Sequence, residues 1–165
     1  MDPAARPAQL DSPAVAALIK VGSRLNMRLY RITGGRLGNR WRVGAALRKP
    51  VEICLLTTTG RKSGEPRTAP LLYLADPGPE LGSAAIVLVA SQGGLPKNPA
   101  WYLNLVADPT VHLQIGRETR AYRARTATPD ERDILWPKLV ALYADFDTYA
   151  EWTDREIPVV ICEPA

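Results

Sequence analysis

From Val51 onward the chain alternates short apolar runs with clusters of turn-forming residues, the spacing of paired strands rather than of a helical bundle. Residues 51–58 read as a strand, Gly60-Arg61-Lys62-Ser63-Gly64-Glu65-Pro66 as a polar turn, and 67–74 as the returning strand. Pro70 inside that strand marks an edge, a bulge or a ligand-facing irregularity, because proline cannot donate to a ladder. A Pro/Gly loop over 76–83 precedes 84–90, whose unbroken apolar run predicts a central strand. Asn98 and Pro99 open a helix through Val106, which Asp108-Pro109 stops. Residues 110–115 and 119–126 form a hairpin around Gly116-Arg117-Glu118. Thr128-Pro129-Asp130-Glu131 is a capping box, and its helix runs to about Tyr143, kinked or restarted at Pro137. A short helix near 148–153 and a last strand over 157–162 follow.

Before Val51 the period changes to that of a helix. Val15, Leu18, Ile19, Leu25, Leu29 and Ile32 recur on one face, with Ser12 as cap and Pro13 in the first turn. Gly34-Gly35 and Gly38 then make a turn leading to a short helix. The expected organisation is a disordered tail over 1–11, a basic helical segment over 12–50 and one barrel domain over 51–165. Strand pairs with inserted helices give an α+β fold.

Charge sharpens this picture. The net charge is +4, yet between Ser12 and Val51 there is no acid, while Lys20, Arg24, Arg28, Arg31, Arg36, Arg40, Arg42, Arg48 and Lys49 lie there. A basic amphipathic helix over 13–32 suits either an anionic membrane surface or packing on its own domain with a solvated basic face. Nucleic-acid binding is not expected, since the basic stretch has only Tyr30 and Trp41 as aromatics and no base-reading motif. The N-terminus carries no basic region followed by an apolar core, and no apolar run is long enough to span a bilayer, so a cytoplasmic address is expected. Cys54 and Cys162 sit in separate apolar runs and read as buried free thiols. The single histidine, His112, alternates with Thr110 and Gln114 and reads as a solvent-facing strand residue. One histidine leaves no room for a His-rich metal site and makes a Ser-His-Asp hydrolase a poor reading. The chemistry therefore rests on a bound cofactor.

Three places hold candidate chemistry. The turn from Thr57 to Arg67 brings hydroxyls, glycines and the cations Arg61, Lys62 and Arg67 together, a composition for phosphate or polycarboxylate that is also that of an exposed basic turn. The loop Ser91-Gln92-Gly93-Gly94-Leu95-Pro96-Lys97-Asn98 leaves a buried strand and enters a helix N-terminus, with Trp101 and Tyr102 able to cover a planar ring or fill a core. Trp136, Tyr143, Phe146, Tyr149 and Trp152 form a late aromatic cluster, in which Trp136 and Trp152 suit a core stripe better than a pocket wall.

In sequence these motifs resemble the deazaflavin-dependent nitroreductase family, whose members use coenzyme F420. The likeness runs through Leu56-Thr57-Thr58-Thr59-Gly60-Arg61-Lys62-Ser63-Gly64, Pro66-Arg67 and Pro70-Leu71. It continues in Ala90-Ser91, Gly93-Gly94, Lys97-Asn98-Pro99, Trp101-Tyr102-Leu103-Asn104-Leu105 and Ala107-Asp108-Pro109, and ends at Trp152-Thr153-Asp154-Arg155 with Ile157-Pro158. The resemblance implies a split β-barrel like that of FMN-binding pyridoxamine-phosphate oxidases, and a reductase that passes a hydride from reduced 8-hydroxy-5-deazaflavin to a quinone, a nitro compound or a related small-molecule acceptor. It implies that Thr57, Arg61, Lys62, Pro66, Arg67, Pro70, Ser91, Gln92, Gly93, Gly94, Lys97, Asn98, Trp101 and Asn104 bind the coenzyme. Ser91, Tyr143 and Tyr149 would act on the acceptor, with no metal. Membrane-associated members of that family also carry such an N-terminal segment, so residues 13–32 suit either a peripheral position on the inner face of the cell membrane or packing on the barrel. Phe146 between Tyr143 and Tyr149, and Gln92 at a position that is lysine in some relatives, are departures that bear on the acceptor. The rivals are an FMN-dependent oxidoreductase on the same barrel and a non-catalytic deazaflavin- or membrane-surface-binding protein.

Overall fold

A computed structural model describes residues 25–41, 44–47, 49–75, 77–79 and 84–165. The tail expected over 1–11 and the first turns of the helix expected over 13–32 lie outside the described residues. Helix α1 is described over residues 25–33. The strands are β1 (Arg40–Trp41), β2 (Val51–Thr59), β3 (Pro66–Ala75), β4 (Ile86–Val89), β5 (Thr110–Ile115), β6 (Glu118–Thr126) and β7 (Val159–Pro164). The later helices are α2 (Ala100–Ala107), α3 (Pro129–Leu142) and α4 (Asp145–Glu151), with short 3-10 turns at Gly44–Leu47 and Gln92–Gly94.

All strand pairings are antiparallel, in the order β1-β2-β3-β4-β7-β6-β5, and a further β2–β5 pairing closes six of the strands into a barrel. The last strand is therefore an internal stave, seated between β4 and β6. Along β3, β4 pairs only with Tyr73–Ala75, so the stretch from Pro66 to Leu72 is hydrogen-bonded on its β2 side alone. Pro70 lies on that one-sided stretch, opposite Leu55, where a missing N–H breaks no second ladder.

Strand alternation divides the apolar residues between the two faces of the barrel wall. Cys54 and Leu56 of β2, Leu88 of β4, Val111 and Leu113 of β5, Tyr122 of β6 and Val160 and Cys162 of β7 point into one buried cluster, which Trp101 and Leu105 of α2 join. The opposite face of β4 and β7, with Val87, Val89, Val159 and Ile161, packs under Leu135, Leu139, Tyr143 and Phe146 of the α3–α4 region. The continuous apolar run of β4 follows from this double burial. On β2, Ile53 and Leu55 face outward beneath Tyr30 of α1. The Tyr30 hydroxyl accepts from the Gly116 N–H at 2.8 Å and donates to the Ile53 carbonyl at 3.3 Å, fixing α1 on the barrel.

The expected capping box is present: Thr128 Oγ1 accepts from the Glu131 N–H, and Glu131 Oε2 accepts from the Thr128 N–H at 2.8 Å. Pro137 does not restart the helix; α3 runs through it, held by Leu135 and Leu139 in the outer core. The following helix begins earlier than expected, at Asp145. Both cysteines are buried and unpaired, and burial pushes the Cys162 thiol up to about 12. His112 is exposed on β5, as its alternation predicted.

Candidate functional site

The β2–β3 turn is short and internally bonded. Gly60 N–H donates to the Glu65 carbonyl at 2.9 Å, and the Gly64 N–H to the Gly60 carbonyl at 2.7 Å. A Cβ on Gly60 would fall 2.7 Å from Ser63 Oγ and 3.0 Å from the Glu65 carbonyl, so a side chain there would displace Ser63 and crowd the turn. From α2, Asn104 locks the turn to the barrel. Its Oδ1 accepts from the Arg61 N–H at 3.2 Å and its Nδ2 donates to Thr58 Oγ1 at 3.1 Å. Asn104 is thus buried and occupied on both side-chain atoms that shape the turn, which makes it a positioning residue before it is a ligand.

Between this turn, β3 and α2 lies an open cavity of about 380 Å³. Arg61, Lys62, Arg67, Thr68, Trp101 and Asn104 line it. Arg67 Nη2 donates to Ser63 Oγ at 3.3 Å. Among the described residues no carboxylate lies within ion-pair distance of Arg61, Lys62 or Arg67. Three unneutralised cations beside the flat apolar body of Trp101 are able to donate charge-assisted hydrogen bonds to phosphate or carboxylate groups. The residues present fit the anionic end of a deazaflavin coenzyme.

The second motif follows β4. Ser91 is buried, and Gln92, Gly93 and Gly94 take successive left-handed conformations at φ +48°, +61° and +72°. Gly94 presses against α4: an added Cβ would meet the Tyr149 carbonyl at 2.9 Å and Trp152 Cβ at 3.0 Å. The loop is held from the other side by Arg155. Its Nε donates to the Leu95 carbonyl, its Nη1 to Asn98 Oδ1 and its Nη2 to the Ala90 and Ser91 carbonyls, all between 2.9 and 3.0 Å. Desolvation lowers the Arg155 pKa from its ordinary value. Asn98 therefore spends its side-chain oxygen on Arg155 and does not cap α2, whose N-cap is Pro99.

The aromatic cluster divides. Tyr143 and Phe146 belong to the outer core and do not form an open wall. Tyr149 is half-buried, its hydroxyl 3.2 Å from that of Tyr143. Burial pushes the Tyr149 hydroxyl above its usual range, with the Tyr143 hydroxyl opposing, so it stays protonated at neutral pH. Trp136 and Trp152, expected in a core stripe, are only partly buried: Trp136 Nε1 donates to Asp147 at 2.7 Å, while Trp152 Nε1 is buried and meets no partner among the described residues.

The structure thus brings Arg61, Lys62, Arg67, Trp101 and Asn104 around one cavity, and Ser91 to Gly94 against Tyr149 and Trp152 in a second group. Thr57 bonds Thr68 at 3.0 Å behind the cavity lining, and exposed Pro66 and Lys97 and half-buried Pro70 are not among the lining residues. Residues 98–101 link the two groups, since Asn98 is tied to the loop and Trp101 lines the cavity. The clamp by Arg155 is not legible in the Trp152–Arg155 motif, because its carbonyl partners lie some sixty residues away in sequence.

A closed antiparallel barrel with a helix-lined cationic cavity defines a split-barrel protein, and the activity has to be read from its relatives. Residues 22–164 match the family model described as F420H(2)-dependent quinone reductase. The Mycobacterium tuberculosis F420H(2)-dependent quinone reductase Rv1261c is 37% identical over 141 residues, covering 84% of this chain and 87% of the relative. Rv3178 of the same organism is 47% identical over 123 residues, covering 74% of this chain and 98% of the relative. Among solved structures, an F420-H2 dependent reductase, FDR-A, is 40% identical with a TM-score of 0.59, covering 67% of this chain and 93% of that one. The chain belongs to the F420H(2)-dependent quinone reductase family, oxidoreductases whose hydride donor is F420H2. The resemblance read from the motifs is borne out.

Proposed function

We propose that Arg61, Lys62 and Arg67 hold the phosphate and glutamate end of F420H2, and that the protein reduces a quinone at the tyrosine-flanked loop. The observation that carries this is the 380 Å³ cavity with three cations and no carboxylate partner among the described residues. When bound, the deazaflavin supplies the hydride. The protein's own residues place and neutralise. Arg61, Lys62 and Arg67 balance the anionic end, and Trp101 offers an apolar surface beside it. Ser91, fixed by Arg155 at its carbonyl, offers a hydroxyl to oxygen that gains charge during reduction. Tyr149, kept protonated by burial and oriented by Tyr143, is the group that gives a proton to that oxygen. Replacing Arg61 and Lys62 together by alanine should weaken F420H2 binding about tenfold or more, measured by fluorescence titration, as loss of charge-assisted contacts predicts. Unchanged affinity removes the assignment.

The same proposal sets the protein against an anionic lipid face on the cytoplasmic side, next to the bilayer in which lipid quinones dissolve. Among the described residues no helix is long and apolar enough to cross a membrane. Helix α1 instead exposes Leu25, Leu29 and Ile32 one turn apart, with Ile32 84% exposed, and Arg28 and Arg36 are exposed beside them. Each basic group near such a surface contributes ~1 kcal/mol. Flotation with phosphatidylglycerol vesicles should carry the protein upward, and Leu25→Ser with Ile32→Ser should release it; flotation equal to that on neutral vesicles argues against docking.

A further inference from the structure

We infer that Asp145 is a positioning residue of the acceptor site: it pins the turn over Gly44–Leu47 against α4, and the pinned turn holds the Tyr143 hydroxyl within reach of Tyr149. The inference rests on the assignment of Tyr149 as the proton donor. The turn lies on the stretch that joins α1 to β2, and two contacts seat it. Ala46 is 1% exposed and packs in the outer core with Val51, Tyr143 and Phe146. The Ala45 N–H donates to Asp145 Oδ2 at 3.0 Å, across 100 residues of sequence. Gly44 makes the approach possible. It takes φ +61°, and a Cβ there would overlap Asp145 Oδ2 and fall 2.8 Å from the Tyr143 hydroxyl. The backbone of the turn therefore lies against both groups. The same Tyr143 hydroxyl is 3.2 Å from that of Tyr149. Beside burial, the Asp145 charge also favours the protonated form of Tyr149, so the carboxylate is within electrostatic reach of that hydroxyl. Tyr149 in turn backs onto Gly94 of the loop that begins at Ser91. One carboxylate thus ties the N-terminal stretch to the acceptor side, and none of these residues lines the cationic cavity.

The test is steady-state reduction of menadione, a soluble quinone, by F420H2 with the full chain. Rates are taken per coenzyme-binding site, counted by F420 titration, so that a partly unfolded sample does not count as a slow one. Asp145→Ala is expected to lower kcat about tenfold at unchanged F420 affinity, a part of the roughly hundredfold or greater effect of a positioned proton donor. Asp145→Asn keeps an oxygen for the Ala45 N–H and recovers most of the rate. Gly44→Ala, which displaces the same hydroxyl without altering charge, shows the same loss on the acceptor side. In a Tyr143→Phe background Asp145→Ala has little further effect, because its influence runs through that hydroxyl, whereas a merely structural loss would persist there. Parent kcat in both Asp145→Ala and Gly44→Ala overturns the inference. So does a fully additive loss in the double variant, or a loss in Asp145→Asn equal to that in Asp145→Ala. Tyr149→Phe separates the two levels of the reading. If it turns over as fast as the parent, the proton-donor assignment itself has failed; if it is slow while Asp145→Ala is not, only the role of Asp145 has.

Discussion

Arg155 brings a positive charge into a half-buried position and meets there only carbonyl and amide oxygens, from Ala90, Ser91, Leu95 and Asn98. Such charge-assisted bonds are each stronger than neutral ones, and all four draw on one planar group. Arg155→Lys keeps the charge but not the fork, and should cost about 1.5–3 kcal/mol in chemical denaturation, the value of losing hydrogen bonds to a charged group. Gly94 makes a complementary case, because its nearest obstacle is a backbone carbonyl. With φ at +72° and the Tyr149 carbonyl 2.9 Å from an added Cβ, Gly94→Ala should destabilise by about 1–3 kcal/mol and lower quinone turnover by parting the loop from α4. A variant as stable and active as the parent would show that this contact does not hold the loop.

At the level of the element, α3 is tied to the barrel through one carboxylate. Glu131 serves the capping box and also takes both guanidinium arms of Arg125 on β6, at 2.7 and 2.8 Å. Arg125, with the Thr128 N–H, lowers the Glu131 carboxyl from 4.5 to about 2. A carboxyl lowered on folding adds stability that is present above its unfolded pKa and lost as pH falls toward the folded one. Glu131→Gln retains an acceptor for Thr128, so at pH 7 it should cost about 1 kcal/mol, discounted because Arg125 is partly exposed. The difference from the parent should shrink between pH 4.5 and 2 and vanish below, followed by urea melts; a constant difference would assign the effect to packing. This element also shows what a sequence reveals. Thr128, Pro129 and Glu131 announce a helix start within four residues, because capping is local chemistry. The strands from Val51 were equally readable, since alternation reports burial directly. Arg125 with Glu131 is close in sequence but gives no periodic signal. The partners of Arg155, and the distribution of Tyr143 into core and Tyr149 onto the loop, depend on which strands become neighbours. Nothing local encodes that, and a helical face of aromatics looks the same whether it lines a pocket or a core.

For the molecule as a whole, a ligand that binds only the folded barrel must stabilise it. At a free concentration one hundred times its dissociation constant, F420 should add about 2.7 kcal/mol, or roughly 5–10 °C in melting temperature for a chain this size. The Arg61→Ala, Lys62→Ala protein should lose most of that shift in a thermal melt, and retention of the full shift would place the coenzyme elsewhere. The position of β7 has a different kind of consequence. Residues 159–164 are the final stave, yet they carry both the β4 seam and the β6 seam. Without this segment the β4 and β6 seams both stay open, so the barrel cannot close however well β2, β3, β5 and β6 pair among themselves. A chain cut before Val159 should accordingly be far more protease-sensitive than the parent, and adding residues 159–164 as a separate peptide should restore resistance in one step.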